Sequence, residues 1–292
     1  MTKPVVGFIG TGIMGCSMAS HLMAAGFDLH IYNRTQEKAT SLIEKGAKWH
    51  DTPADLAPHC DIIITMVGYP KDVEAIYFGP QGLIARSKAD TLLIDMTTSS
   101  PALARWIASE AEACQKSALD APVSGGDVGA REARLSIMVG GEAEAFQKAY
   151  PLFEAMGKQI LHMGTAGMGQ HTKMSNQIAI ASNMMGVCES LVYAEKNGLD
   201  PALVFEAISA GAANSASLTN LAPRMLKGDY APGFFIKHFL KDMKIAIESA
   251  QEANIDLPGL KLACSLYESL AEQGAENDGT QALIKWYKEA CN

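Results

Sequence analysis

The stretch VVGFIGTGIMG, Val5 to Gly15, decides the fold. A short apolar run leads into Gly10-x-Gly12-x-x-Gly15, and the helical pattern MASHLMAAGF follows, ending near Gly26. In a strand–turn–helix setting each glycine has a physical task. Gly10 permits the tight turn, Gly12 lets a pyrophosphate approach the backbone, and Gly15 lets the helix pack close to the sheet; the helix N-terminus supplies unpaired N–H groups. The spacing alone also occurs in turns that bind nothing, and its place between an N-terminal strand and a helix is what gives it weight. Gly10, Thr11, Gly12, Ile13, Met14 and Gly15 are therefore candidate cofactor contacts.

About twenty residues further on, a NAD-specific site carries an acid for the ribose 2′-hydroxyl. Here the second strand pattern, DLHIYN, ends in Asn33, followed by Arg34 and Thr35. An acid repels a 2′-phosphate, whereas a guanidinium binds it through charge-assisted hydrogen bonds. The three residues point to NADP(H) as the preferred cofactor, with NAD(H) as the alternative.

Working outward, β-like runs alternate with helical patterns: TQEKATSLIEKG, DIIITMV, TLLIDM, PALARWIASEAEACQK, SALDAP, LSIMVGG and QILHMG. Apolar strands separated by helices indicate a parallel sheet covered by helices. After Gly164 the β-like runs nearly vanish, and Ala, Met, Leu and Gln recur at helical spacing from HTKMSNQIAIASNMMGVCESLVYAEKNG to TQALIKWYKEACN. The expected architecture is α/β: an N-terminal doubly wound Rossmann-type domain, 1–163, a connecting helix, 164–195, and a C-terminal all-α domain for substrate and oligomerisation, 196–292.

Composition narrows the function. Of 292 residues, 48% are apolar and 19% charged, which suits a globular chain with one large or two ordinary cores. The net charge is −8; divided near Gly164, each part carries −4, with 14 basic against 18 acidic residues before it and 10 against 14 after. Neither part has the basic surplus that nucleic acid or an anionic membrane would favour. Cys16, Cys60, Cys114, Cys188, Cys264 and Cys291 are scattered without a Cys-x-x-Cys pair, so no metal is expected and the thiols fit a reducing compartment. MTKPVVGFIG lacks a signal-peptide layout, and no apolar run approaches the ~18 residues of a membrane span. A cytoplasmic protein is expected.

Between Lys158 and Glu189 only Lys173 carries a formal charge, in the helical segment GMGQHTKMSNQIAIA. A lone buried ammonium is costly unless paired, and such a group shifts its pKa readily, which makes it a candidate for proton chemistry. By spacing alone, a single lysine on an apolar helix more often snorkels to water. His171 and His238 flank lysines and read as local hydrogen-bonding residues.

Four segments in order, GFIGTGIMGCSMASHL, DAPVSGGDVGA (Asp120 to Ala130), GMGQHTKMSNQ and KHFLKDM (Lys237 to Met243), together resemble the β-hydroxyacid dehydrogenase family, which includes 3-hydroxyisobutyrate dehydrogenases and tartronate semialdehyde, glyoxylate and succinic semialdehyde reductases. The resemblance implies that Lys173 is the catalytic lysine, and that Ser124, Gly125 and Gly126 hold a substrate carboxylate. It further implies that Lys241 closes on the cofactor and active site with Asp242 beside it, that Thr97 lies near the nicotinamide ribose, and that Met66 and Val67 line the cofactor. Phe234 and the segment GAANSASLTN would shape substrate choice, and Arg224 is either structural or reaches an anionic tail.

The chain departs from the pattern in places. Many members carry Asn at the third and fourth positions after the lysine; here they are Asn176 and Gln177, and either amide could orient Lys173. Ala133 stands where Gly is frequent. The implied reaction interconverts a small carboxylated aldehyde and its hydroxy acid, with the proton passing through Lys173. An NAD-dependent 3-hydroxyisobutyrate dehydrogenase is the closest alternative, and a non-catalytic NADP-binding sensor or interaction protein is the alternative of another class. Lys173 argues against an imine reductase. A homo-oligomer, dimer or tetramer, is implied by the family. The substrate stays open among glyoxylate and the succinic, tartronate and methylmalonate semialdehydes.

Overall fold

The computed structural model describes residues 3–290, so the first two residues of the N-terminal reading, and Cys291 and Asn292 at the end of the last helical pattern, lie outside the described residues. The chain divides into two compact units, Met1–Lys173 and Met174–Asn292.

The first unit is a nine-stranded sheet. Its strands are β1 (Val5–Ile9), β2 (Asp28–Tyr32), β3 (Lys48–Trp49), β4 (Ile62–Thr65), β5 (Leu92–Asp95), β6 (Ser117–Asp120), β7 (Val123–Ser124), β8 (Leu135–Gly140) and β9 (Gly157–Gly164). They lie in the order β3-β2-β1-β4-β5-β6-β8-β7, with β9 on β8. From β3 to β6 every pairing is parallel. The order reverses direction at β1, between β2 and β4, which in a doubly wound sheet opens a ligand crevice at the strands' carboxyl ends.

Side-chain alternation shows why these runs form strands. Ile62, Ile64, Leu92 and Ile94 join Val6 and Phe8 in one core cluster, while Ile63, Leu93 and Ile9 join another. Strands buried on both faces read as near-continuous apolar runs. The expected parallel sheet carries an antiparallel portion at one end: β6–β8 and β7–β8 are antiparallel. Between β6 and β8 the chain forms β7, which pairs with β8, and a six-residue helix, Gly126–Arg131, in place of a long crossover helix. The segment TQEKATSLIEKG also differs from one continuous helix, forming a 3₁₀ turn, Gln36–Ala39, and a single α turn, Thr40–Ile43.

The second unit is built from helices. The long helix, Met168–Lys196, runs through the division, and Pro201–Ser209, Ala216–Leu226, Ile236–Glu252, Pro258–Leu270 and Leu283–Ala290 follow. Asp200 and Ser215 start two of them by accepting from the N–H groups of Ala202 and Leu218. Their apolar faces form a separate core around Met184, Phe239, Met243 and Tyr267. No helix among the described residues is long and apolar enough to cross a membrane.

Candidate active site

The glycine turn has the geometry its sequence demands. Gly10 has φ +99°, and a Cβ there would run into the Met66 carbonyl at the end of β4. A Cβ at Gly15 would collide with the Gly10 carbonyl, whereas one at Gly12 would meet nothing within 4 Å. Gly12 caps the first helix, Ile13–Ala24, without a side-chain hydrogen bond, and Ile13 is exposed. Met14 packs against the core, and the buried Thr11 hydroxyl lacks a partner. An open Gly12, an uncapped helix start and an orphaned buried hydroxyl together fit a dinucleotide phosphate.

Asn33 is tied to this turn. Its Oδ1 accepts from Thr11 N at 3.0 Å, and its Nδ2 donates to the Thr35 carbonyl at 2.8 Å. Gly10 N donates to the Tyr32 carbonyl at 2.9 Å. Asn33 thus fixes the loop that carries the exposed Arg34 and Thr35.

Met66 and Val67 follow β4, and Thr97 follows β5. Thr97 Oγ1 accepts from Val67 N at 3.0 Å, and Thr97 N donates to Asp95 Oδ1 at 3.1 Å. Asp95 is buried and also accepts from Thr65 Oγ1 at 2.8 Å. Burial pushes its carboxyl up to about 6, against the hydrogen bonds from Thr97 and Thr65.

Ser124 is half-buried in β7, and Gly125 (φ +130°) and Gly126 (φ +64°) turn the chain into the short helix Gly126–Arg131. His21 Nε2 lies 3.0 Å from both the Ala130 and Arg131 carbonyls, docking that helix on the first one. Ala133 sits at φ +51°, a left-handed conformation that glycine adopts without strain.

The long helix begins under tight constraint. A Cβ at Gly169 would meet the carbonyls of Met138 and Asp120, so the helix start lies directly on β8 and β6. Asp120 accepts from Gly167 N at 2.7 Å and Gln170 N at 2.8 Å, a carboxylate at a helix N-terminus. Burial raises its pKa, opposed by those backbone hydrogen bonds. Gln170 is fully buried: its Oε1 accepts from Ser99 N at 3.0 Å and its Nε2 donates to the Thr97 carbonyl at 2.7 Å. One turn on, Lys173 is only 7% exposed, so it does not snorkel to water. His171 Nε2 lies 3.4 Å from Arg105, 66 residues away in sequence, rather than bonding only its neighbours.

In the second unit a polar chain is buried. Asn176 Nδ2 donates to Gln177 Oε1 at 2.7 Å, Gln177 Nε2 donates to Asp242 Oδ2 at 2.6 Å, and Lys241 Nζ pairs with Asp242 Oδ1 at 2.9 Å. Phe234 is half-buried, with its ring 5.5 Å from that of Phe239. Arg224 is structural: it bonds Asp229 through Nε at 2.8 Å and the Ala231 carbonyl at 2.6 Å. Asp95 and Gln170 were not singled out in the sequence, and Asp120 only as the first residue of a motif. The spacing of Gln170, Lys173 and Gln177, three polar residues on one helical face, is the signal the sequence offers.

Residues 5–164 match the family described as the NAD binding domain of 6-phosphogluconate dehydrogenase, and residues 167–287 that described as NAD-binding of NADP-dependent 3-hydroxyisobutyrate dehydrogenase. The 2-hydroxy-3-oxopropionate reductase of Escherichia coli (strain K12) is 38% identical over 280 residues, 96% of each chain. The chain belongs to the β-hydroxyacid dehydrogenase family. An uncharacterized oxidoreductase of Bacillus subtilis (strain 168) is 56% identical over 287 residues, covering 98% of this chain and 100% of its own. Among solved structures, 3-hydroxyisobutyrate dehydrogenase of Mycobacterium tuberculosis, described with L-serine, superposes with a TM-score of 0.89 at 28% identity, covering 97% of this chain and 99% of its own. As a β-hydroxyacid dehydrogenase the chain is an oxidoreductase acting on a CH–OH group with a nicotinamide cofactor. That sets aside the non-catalytic reading.

Proposed function

We propose that the protein is an NADPH-dependent reductase of a small carboxylated aldehyde, reversible as a hydroxy acid dehydrogenase, with Lys173 as the proton donor. The observation that carries this reading is the burial of Lys173 one turn after a helix start tied to the Thr97 loop. When bound, the dihydronicotinamide supplies the hydride. Gly10, Thr11, Gly12, Ile13, Met14 and Gly15 would hold the pyrophosphate side of the cofactor, and Met66, Val67 and Thr97 would line its nicotinamide side. Asn33, Arg34 and Thr35 would receive the 2′-phosphate: no carboxylate stands at position 33, and Arg34 is exposed.

Ser124, Gly125 and Gly126 would bind the substrate carboxylate through a hydroxyl and backbone N–H groups, since glycine admits close approach. The Lys173 ammonium would hydrogen-bond the aldehyde oxygen, stabilise its developing charge and transfer a proton to it, leaving a neutral amine that solvent reprotonates. Gln177 has both ends of its amide engaged, by Asp242 and Asn176, so we assign the orienting of Lys173 to Asn176. Lys241 and Phe234 would complete the cofactor and substrate contacts.

Two relatives support a short carboxylated substrate: one is named for 2-hydroxy-3-oxopropionate, and one is described with L-serine, a short acid bearing a β-hydroxyl. We infer that the first unit serves the cofactor, and that the helical unit serves substrate choice and homo-oligomerisation. The helix Pro201–Ser209 buries none of its residues, with Leu203 64% exposed.

The test is turnover of NADPH and NADH with glyoxylate and short semialdehydes, for wild type and Arg34→Ala. The expected result is NADPH-dependent turnover of at least one aldehyde and a loss of at least about tenfold in NADPH affinity in the variant, near the strength of one charge-assisted contact, with NADH affinity unchanged. Equal losses for the two cofactors would remove the NADP(H) assignment.

A further inference from the structure

We propose that Gln170 is a positioning residue that sets the register of Lys173 against the loop after β5. The inference rests on the catalytic reading of Lys173 given above. Two backbone groups of that buried loop face the helix, an acceptor, the Thr97 carbonyl, and a donor, the Ser99 N–H. The Gln170 side chain meets both, donating at 2.7 Å and accepting at 3.0 Å, and is fully buried. A primary carboxamide presents a donor and an acceptor in this way at every pH, whereas a carboxyl group does so only when protonated, and only one of the two flip states of the amide fits: the other sets oxygen against oxygen and N–H against N–H.

The bracket is held at both ends. The Gln170 N–H donates to Asp120, which also holds the Gly167 N–H, so the helix start cannot slide along β6. On the other side, Thr97 is fixed by Val67 N to its hydroxyl and by its own N–H to Asp95. The β5–β6 register places Asp95 directly opposite Asp120. Two buried carboxylates on neighbouring strands therefore anchor the two ends, and Gln170 spans them. Lys173 follows three residues later on the same helical face. A misplacement of about 1 Å at a reacting centre can cost about 100-fold in rate, so a bracket here acts on kcat and leaves cofactor affinity alone.

The test uses Gln170→Met, which keeps the volume and removes both bonds, and Gln170→Glu. A carboxylate at 170 accepts from Ser99 N–H but opposes the Thr97 carbonyl; the protonated acid can donate to it. Lys173→Ala is run beside them. For Gln170→Met the expected results are a kcat lowered about 30- to 100-fold, an NADPH dissociation constant within about threefold of wild type, faster hydrogen exchange at the Ser99 amide, and a folded protein whose melting temperature falls by several degrees, because two buried backbone groups lose their partner. For Gln170→Glu the rate relative to wild type should climb as pH falls from 8 to 6.

A Gln170→Met kcat close to wild type, a parallel loss of NADPH affinity, an unchanged Ser99 exchange rate, or a Gln170→Glu ratio flat in pH would overturn the proposal. Unfolding of both variants would overturn it too, by making Gln170 a determinant of folding. Full activity of Lys173→Ala, or no turnover of any aldehyde, strikes the catalytic reading instead, while hydrogen exchange at Ser99 still decides whether the bracket exists.

Discussion

Asp242 gives one carboxylate oxygen to Lys241 and the other to Gln177, and is only 2% exposed. Its immediate partners are therefore protein groups. A charge so placed also fixes the amides beyond it: Gln177 must present its N–H groups to Asp242 and its oxygen to Asn176. Asp242→Ala would leave the Lys241 ammonium, 12% exposed, without its carboxylate and the Gln177 amide without its acceptor. Breaking a buried pair from one side typically costs about 3 kcal/mol, and urea unfolding should show a loss of that order. A loss well under about 1 kcal/mol, the range of exposed pairs, would mean that water replaces the carboxylate. Arg224 illustrates the opposite outcome at the same scale: the sequence left it open between structure and an anionic ligand, and its bonds to Asp229 and Ala231 make it structural.

At the scale of elements, the edge of the sheet carries a pH dependence. His30 on β2, His50 just after β3 and His59 in the turn Ala57–His59 form a cluster with ring centroids 5.0 to 5.6 Å apart, and His30 Nδ1 lies 2.8 Å from His50 Nε2. Burial, then His50, Lys48 and His59, lower the His30 pKa to about 4, with Asp28 opposing. The unfolded chain then binds a proton before the folded one, so stability from His30 is complete above pH 6.5 and is lost as pH falls toward about 4. Asp95 works the other way: its folded value of about 6 exceeds 3.8, so it favours the folded state as pH falls. His50 and His238, whose values burial also lowers, add to the slope of His30, and Asp120, raised by burial, adds to that of Asp95; removing His30 removes one destabilising contribution, so His30→Leu should lose less stability than wild type in urea unfolding between pH 6.5 and 4.5. The same slope in both proteins would contradict this account.

The elements that were legible in the sequence are those whose signal is local. β4 and β5 are continuous apolar runs, the glycine turn carries its own spacing, and the Met168–Lys196 helix has a long run of helix formers. Two-residue β3 and β7 have no period to read, and the reversal at β8 has no signal in its own apolar run, which is compatible with either direction. Asp120 caps a helix 47 residues away, and Gln170 reaches Thr97 across 73. Such pairings exist only once the sheet has brought β5, β6 and the helix start together. The isolated charge of Lys173 stands out in the sequence; Asp120 and Gln170, which hold the start of its helix, do not, because amides and carboxylates are common and their partners are distant.

Over the whole molecule, the two units have separate cores and meet in sequence between Lys173 and Met174, inside one helix. The lysine belongs to the unit with the glycine turn and the Thr97 loop, while Asn176 and Gln177 begin the helical unit. The central claim is that this lysine delivers the proton during aldehyde reduction. The direct measurement is kcat for NADPH-dependent reduction of the best aldehyde by wild type and Lys173→Ala, with NADPH affinity measured on both. A positioned general acid contributes about 10²- to 10⁴-fold, so the variant should lose at least about 100-fold in kcat and bind NADPH as wild type does. A variant that turns over within about tenfold of wild type would place the proton donor elsewhere.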